Sequence, residues 1–341
     1  MFNLEKIIRA NIKELKGYSS ARDEFSGTAE VFLDANENPF GTLNRYPDPK
    51  QFKVKKRLSR LKNVKSEQIF IGNGSDEVID LAFRIFCEPG KDKALTFSPT
   101  YGMYDVSAAI NNVELIKQPL LADFQINLNQ LQPYLEMDEV KLIFICSPNN
   151  PTGNCFNDES IEYILENFNG MVIIDEAYID FSSRESFITQ LNKYPNLIIS
   201  QTFSKAWGLA GVRVGVAYAN FEVIDLYNKV KPPYNISTLN QNAVLESLNN
   251  TTQFEINKNI IIKEKENLVK ELKKIKLVLN IFPTEANFIL VEVTNADTIY
   301  INLVEQKIIT RNRNTLVDNC IRITVGSAEE NTKLINALKQ L

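Results

Sequence analysis

The run Leu197-Ile-Ile-Ser-Gln-Thr-Phe-Ser-Lys-Ala-Trp-Gly-Leu-Ala-Gly-Val-Arg213 decides how this chain is read. Leu197 to Ser200 has the apolar, β-branched character of a strand, and Lys205 then falls in a loop containing hydroxyl-bearing residues and glycine. Arg213 follows eight residues later and opens a second apolar run, Val214-Gly-Val-Ala-Tyr218. A lysine held among apolar neighbours and beside a cation has its pKa lowered, which frees its amine to act as a Schiff-base nucleophile. A Ser-Lys pair taken alone is a solvated surface feature, so the reading depends on what the rest of the chain supplies.

Three other segments supply it. Phe70-Ile-Gly-Asn-Gly-Ser-Asp-Glu77 reads as a strand and a glycine turn that enters a helix, with apolar residues at 78, 81, 82, 85 and 86. Gly72 and Gly74 permit close backbone approach, Ser75 is placed as the N-cap, and the helix start offers free N–H groups to a phosphate. Asp76 and Glu77 would repel that phosphate unless their side chains point away. Leu142-Ile-Phe-Ile-Cys-Ser-Pro-Asn-Asn-Pro-Thr-Gly153 is a buried-type strand meeting a Pro/Asn/Gly turn, where Asn150 can donate an amide hydrogen or merely shape the turn. Met171-Val-Ile-Ile-Asp-Glu-Ala-Tyr178 ends an apolar strand on Asp175, a carboxylate that burial makes costly without a cation partner. A neighbouring Arg or Lys would serve, and so would a protonated ring nitrogen. Taken together, these are the needs of a pyridoxal phosphate (PLP) cofactor.

The segments resemble the fold-type I PLP-dependent enzymes, and most closely the histidinol-phosphate aminotransferase family. The resemblance runs over almost the whole chain. It is carried by Gly17-Tyr-Ser-Ser-Ala-Arg22, Leu33-Asp-Ala-Asn-Glu-Asn-Pro39, Arg45-Tyr-Pro47, Gly74-Ser-Asp-Glu77 and Pro99-Thr-Tyr-Gly-Met-Tyr104, then by Asn149-Asn-Pro-Thr-Gly153, Asp175-Glu-Ala-Tyr178, Phe203-Ser-Lys-Ala206, Gly211-Val-Arg213 and Cys320-Ile-Arg-Ile-Thr-Val-Gly326. It implies an α/β fold, with a large domain of mostly parallel sheet covered by helices and a smaller α+β domain. Lys205 would carry the cofactor and serve as base and acid. Asp175 would pair with the ring nitrogen, Asn150 and Tyr178 with the phenolic oxygen, and Tyr101 would stack on the ring. Ser75, Asp76 through its backbone N–H, Thr202 and Arg213 would hold the cofactor phosphate, with Tyr46 reaching it from the partner of a homodimer. Arg322 and Arg311 would bind the anionic end of the substrate, with Tyr18 near its imidazole. Arg311 is preferred to Arg313 because the apolar Ile308-Ile-Thr precedes it. The implied reaction joins histidinol phosphate and 2-oxoglutarate to imidazole acetol phosphate and glutamate. An aromatic-amino-acid aminotransferase and a threonine-phosphate decarboxylase are the alternatives within the fold. A PLP-sensing regulator is the alternative outside catalysis, and it would need a DNA-binding module for which the residues before Val31 leave no room.

Composition is consistent with a large folded enzyme. The 341 residues are 44% hydrophobic, enough for more than one domain, and the net charge of -4 gives no general attraction to nucleic acid. The four cysteines form no Cys-x-x-Cys pair, so no metal site is expected, and Cys87, Cys146 and Cys320 are placed as small core residues. Histidine is absent, which removes triads with a histidine base and leaves base chemistry to Lys, Tyr, Asp or Glu.

Residues 1–44 are assigned to an N-terminal arm and part of the small domain, 45–235 to the large PLP-binding domain, and 236–341 to the small C-terminal domain. Met1–Leu15 reads as one amphipathic helix with Leu4, Ile7, Ile8, Ile12 and Leu15 on one side. It lacks a signal peptide's apolar core, and no run approaches the ~20 residues of a membrane span, so a cytoplasmic location is expected. Lys231-Pro-Pro-Tyr-Asn-Ile-Ser237 breaks the strand–helix rhythm. Long charged helices over 238–275, strands at Ala286–Glu292 and Cys320–Val325, and a last helix from Ala328 are expected beyond it.

Overall fold

The computed structural model describes residues 2–19, 21 and 31–341. Seven strands form the large sheet: β1 (Ile69–Gly72), β2 (Lys93–Ser98), β3 (Glu114–Pro119), β4 (Val140–Cys146), β5 (Met171–Asp175), β6 (Leu197–Thr202) and β7 (Gly215–Ala219). Their order across the sheet is β1-β7-β6-β5-β4-β2-β3. Strands β2 to β6 pair in parallel, while β7 runs antiparallel to both β1 and β6. The near-continuous apolar runs are what a sheet covered on both faces requires. Ile143, Ile145, Val172, Ile174 and Ile199 enter one core with Leu58 and Ile164, and Leu142, Phe144, Ile173 and Ile198 enter the other with Phe83 and Ile224. Period-two alternation places both sets from the same strands.

The turn after β1 differs in one detail from the sequence reading. Gly74, at φ +78°, is the N-cap of the helix Ser75–Phe86, and Ser75 is its first residue. The turn needs a positive φ there, which glycine adopts at no steric cost. The N-terminus differs as well. Leu4–Ile7 and Ala10–Glu14 are two short helices separated by extended Ile8 and Arg9, not one helix. The break seats Ile7, Ile8 and Ile12 together against the second core of the large sheet, whereas Leu15 remains 40% exposed. Ser20 and Arg22 of the Gly17–Arg22 signature lie outside the described residues.

A second, antiparallel sheet has the order β10-β11-β9-β8, from β8 (Val278–Ile281), β9 (Phe288–Val293), β10 (Arg311–Asn312) and β11 (Cys320–Thr324). The two longer strands match the apolar runs in the sequence, but β8 is partly exposed and β10 is two polar residues long, so neither carries a strand pattern. Ile289, Val291, Ile321 and Ile323 pack on the helices Thr251–Leu272, Ala296–Glu305 and Ala328–Lys339 through Leu268, Leu272, Leu303 and Leu338. The opposite face brings Phe288 against Tyr178, Phe181 and Ala206 of the large sheet's loops. Among the described residues no helix is long and apolar enough to cross a membrane. All four cysteines are buried, Cys155 included.

Close approach of β7 to the helix start is the tightest constraint here. A Cβ on Gly215 would lie 2.2 Å from the backbone N of Ser75, whereas one on Gly211 would meet nothing within 4 Å. Gly215→Ala is expected to destabilise by about 1–3 kcal/mol because backbone must move, and to weaken cofactor binding in the same step. Gly211→Ala should leave both unchanged. Thermal melting of the two variants with and without the cofactor checks this.

Candidate active site

The parallel strands end on one level, and their carboxyl-end loops enclose a cavity of about 130 Å³. Open α/β sheets bind ligands at that end. Ser75, Asp76, Tyr101, Asn150, Asp175, Tyr178, Thr202, Lys205 and Arg213 all line it, so nine residues separated by up to 138 positions in the chain meet in one place.

Asp175 ends the central strand and is 2% exposed. Its Oδ2 accepts the Tyr104 hydroxyl at 2.9 Å and its Oδ1 accepts the Ala177 N–H at 3.2 Å. Burial pushes its pKa up to about 6; the Tyr104 and Ala177 hydrogen bonds pull the other way, and the Lys205 charge helps them weakly. Among the described residues it forms no ion pair, so the salt-bridge alternative raised by the sequence finds no partner there.

Lys205 follows β6 in a turn. The residue as a whole is exposed, yet its Nζ lies 5.7 Å from the centre of the Tyr178 ring. Its pKa is lowered by burial and then by the Arg322 guanidinium, while the carboxylates of Asp175 and Asp76 oppose the shift and Arg213 adds to it. The sequence placed Arg213 as the cation beside this lysine. The stronger one is Arg322, delivered from the second sheet.

Tyr178 is buried, stacked edge-on against Phe288 with centroids 5.0 Å apart. Its hydroxyl accepts from Asn150 Nδ2 at 3.5 Å, and Arg322 Nη1 donates to Asn150 Oδ1. Asn150 thus links the two sheets. The Arg322 guanidinium sits 5.1 Å over the Phe288 ring. Tyr101 donates its hydroxyl to Asp76 Oδ1 at 3.1 Å, and Arg213 pairs with Asp76 Oδ2 at 3.2 Å. Asp76 is therefore spoken for by side-chain partners. Glu77 turns away from the helix start to accept from Asn73 N at 2.5 Å and Asn235 Nδ2 at 2.9 Å. Asp76 does not point away from the cavity but lines it, with Tyr101 and Arg213 as its partners, whereas Glu77 does not line it. Thr202 Oγ1 accepts the Ser204 N–H at 3.1 Å and closes the loop before the lysine.

Two residues were missed by the sequence reading. Tyr104, fully buried and bonded to Asp175, was quoted in the Pro99–Tyr104 motif but had no role. Ser204 lines the cavity beside Thr202. The signal was adjacency to assigned residues, which does not reveal direction. Four expected residues do not line the cavity of this chain, and of these Arg322 reaches it through Asn150. Tyr18 is 70% exposed in a separate cleft with Lys55 and Lys231. Tyr46 is 51% exposed and stacks on Tyr234 at 4.3 Å. Arg311 is exposed and lies directly across the ladder from Arg322.

The residues present fit pyridoxal phosphate. A buried carboxylate that has only neutral donors lacks the cation a protonated pyridine nitrogen would provide. Ser75 and Asp76 at the start of the helix Ser75–Phe86 line the cavity with Thr202 and Arg213, and the missing side chains of Gly74 and Gly215 let Arg213 and β7 approach that helix start closely.

Fold and cavity together define a class: the chain belongs to the family "Aminotransferase class I and II", whose family model matches residues 19–338. Within it the chain belongs with the histidinol-phosphate aminotransferases. It is 51% identical over 346 residues to the protein of that name from Flavobacterium johnsoniae, covering 100% of this chain and 99% of the relative. It is also similar to the crystal structure of the histidinol-phosphate aminotransferase from Clostridium acetobutylicum, with TM-score 0.80 and 27% identity over 87% of this chain and 90% of that one. The Sinorhizobium meliloti histidinol-phosphate aminotransferase, solved in complex with pyridoxal-5'-phosphate, shares the fold at TM-score 0.79 and 22% identity over 90% of this chain and 89% of that one.

The unpaired Asp175 makes a pH-dependent prediction for the cofactor-free protein. Its folded pKa of about 6 lies above the ordinary carboxylate value. The stability it contributes is therefore full below about pH 4 and lost as pH rises through 6. Asp175→Asn should stabilise the cofactor-free protein by roughly 2–3 kcal/mol at pH 8 and by almost nothing near pH 4, while nearly abolishing turnover. Denaturant titrations at the two pH values decide it. A loss of stability at pH 8 would mean that Asp175 is a structural residue.

Proposed function

We propose that this chain moves the amino group of histidinol phosphate to 2-oxoglutarate, yielding imidazole acetol phosphate and glutamate, reversibly. The observation that carries this is the position of Arg322, a guanidinium from the second sheet held over the cavity by Asn150 and Phe288 beside Lys205. Histidinol phosphate has no carboxylate, so its phosphate is its one anionic handle, and an arginine fork accepts either a phosphate or a dicarboxylate partner. The full-length identity to enzymes of that name favours this over the aromatic-amino-acid and threonine-phosphate readings.

Bound in the cavity, pyridoxal phosphate supplies the carbonyl that receives the amino group and a ring that delocalises the electron pair left at the substrate's Cα. The chain's residues do the rest. Lys205 would hold the cofactor through its Nζ, and its free amine would accept the Cα proton and give a proton back on the other side of the transfer. Its lowered pKa, with burial and then Arg322 as the causes, raises the neutral fraction that can do so. Asp175 would keep a proton on the ring nitrogen, with Tyr104 and the Ala177 N–H holding that carboxylate in place. Asn150 and Tyr178 provide the donors for the phenolic oxygen, and Tyr101 the face of the ring. Ser75, the Asp76 N–H, Thr202 and Arg213 take the cofactor phosphate. For that, Arg213 must share or leave its Asp76 pairing.

The assembly we propose is a homodimer in which Tyr46 completes the partner's phosphate site. In support, Tyr46 lies outside the cavity of its own chain, and Phe40 and Leu43 beside it are 82% and 62% exposed. Tyr18 likewise meets a substrate's imidazole only if the arm carrying it moves or serves a second copy. A cytoplasmic location follows from the small, soluble substrates.

Lys205→Ala should retain PLP by non-covalent contacts but lose borohydride-trappable attachment and nearly all turnover; trapping with an unchanged yield would sink the assignment. Arg322→Ala should damage both half-reactions by about 2–4 kcal/mol each, since a largely desolvated ion pair is lost, and Arg322→Lys should recover only part. If Arg322→Ala spares histidinol phosphate but abolishes reaction with phenylalanine, the aromatic reading takes its place. Single-turnover absorbance changes with each donor measure this.

A further inference from the structure

Three arginines crowd one face of the second sheet, and among the described residues no acid pairs with them. Arg311 stands across from Arg322 in the β10–β11 ladder, and the ladder continues one rung further, with Arg313 N donating to Cys320 O at 2.9 Å. Residues two apart on a strand share a face, so Arg313 lies on the diagonal from Arg322, a separation of ~7–8 Å that long side chains easily bridge. The carbonyl of Arg313 accepts from Leu316 N and Val317 N, both at 2.8 Å, which pins the base of its side chain in a tight turn. Ile321 and Ile323 occupy the other face. The arginine face therefore looks toward Phe288, Tyr178 and the cavity.

Among the described residues none of the three forms an ion pair with an acid. The Nε atoms of both Arg322 and Arg313 are buried with no acceptor at all. Burial pushes the Arg313 guanidinium down to about 10, the charges of Arg322 and Arg311 push the same way, and the Tyr178 hydroxyl opposes them. Arg313 thus shares its electrostatic surroundings with Arg322 and Tyr178, although Arg311 was the preferred partner on sequence grounds. Buried donors without acceptors and like charges without a partner both cost free energy. An anion that arrives with the substrate removes both costs.

We propose that Arg313 is the third cation of the substrate's anion pocket, and that it selects a phosphate dianion over a carboxylate. This rests on the reading of the site as one for a phosphate-bearing amine. One carboxylate offers a single charge and two oxygens, which the Arg322 fork alone can answer. A phosphate monoester offers three terminal oxygens and, above a second pKa near 6, almost two charges. The additional oxygen and charge are what the buried Arg313 donor is placed to meet.

The test uses wild-type holoenzyme, Arg313→Gln and Arg313→Lys. Arg313→Gln should raise KM for histidinol phosphate about tenfold or more, the size of one lost charged hydrogen bond, and KM for 2-oxoglutarate by at most about a third of that factor. Arg313→Lys should recover part of the loss. Methyl phosphate, which has no amine to transfer, should inhibit wild type competitively and Arg313→Gln more weakly by a similar factor. Wild-type KM for histidinol phosphate should fall between pH 5 and 7 as the dianion forms, with a flatter dependence in Arg313→Gln. Equal rises in both KM values, a change confined to kcat with lowered melting temperature, or a KM for histidinol phosphate within twofold of wild type each overturn the proposal. If wild type turns over aromatic amino acids and no phosphate-bearing amine, the parent reading fails first and this one with it.

Discussion

A carboxylate buried without a cation is the constraint on which this molecule is organised. Asp175 ends the central strand of seven, where burial raises its pKa and only a tyrosine hydroxyl and a backbone N–H answer it. Folding tolerates such a group when the remaining energy of the sheet is large, and the two apolar cores flanking β4, β5 and β6 are the largest in the protein. In the function proposed for this site, a protonated ring nitrogen would supply the missing cation. Stability is given up at the position where binding needs it, and Tyr104 holds the carboxylate in readiness.

The second sheet then decides what the site can do. Its apolar face makes a core with three helices, and its other face reaches across to Tyr178 through Phe288 and to Asn150 through Arg322. Arg322 has two effects through this one placement. In the proposed function it offers a cation to an anionic substrate, and after burial it is the next cause that lowers the pKa of Lys205. Binding and base strength are coupled because the same charge serves both. An anion that neutralises Arg322 also relaxes its pressure on the lysine, so the amine's basicity changes as the substrate arrives.

Backbone geometry on the phosphate side is equally economical. Gly74 takes the positive φ of the turn, Gly215 lets β7 pass against the helix start, and Arg213 is brought back by the antiparallel β7 to the loop that β1 began. The antiparallel strand inserted between β1 and β6 is what joins two distant segments, 70–77 and 202–213, at one cavity.

The sequence by itself determined the large domain's character and most of the cofactor cavity. Uninterrupted apolar runs at 142–146, 171–174 and 197–199 admit little but buried parallel strands, and the polar residue closing each run must fall at the strand end. Asp175, Asn150 and Lys205 were legible for that reason. Only the tertiary structure decided the rest. The two-residue strand at Arg311 has no periodicity to read, so its pairing with β11, and with it the face shared by Arg311, Arg313 and Arg322, exists only once β9 and β11 have set the register. Tyr104 is a helix residue whose partner lies 71 positions away. The cation that governs Lys205 comes from 117 positions further along, not from the nearby Arg213. Strand ends follow from local chemistry, whereas electrostatic partners follow from which faces the packing of two sheets brings together.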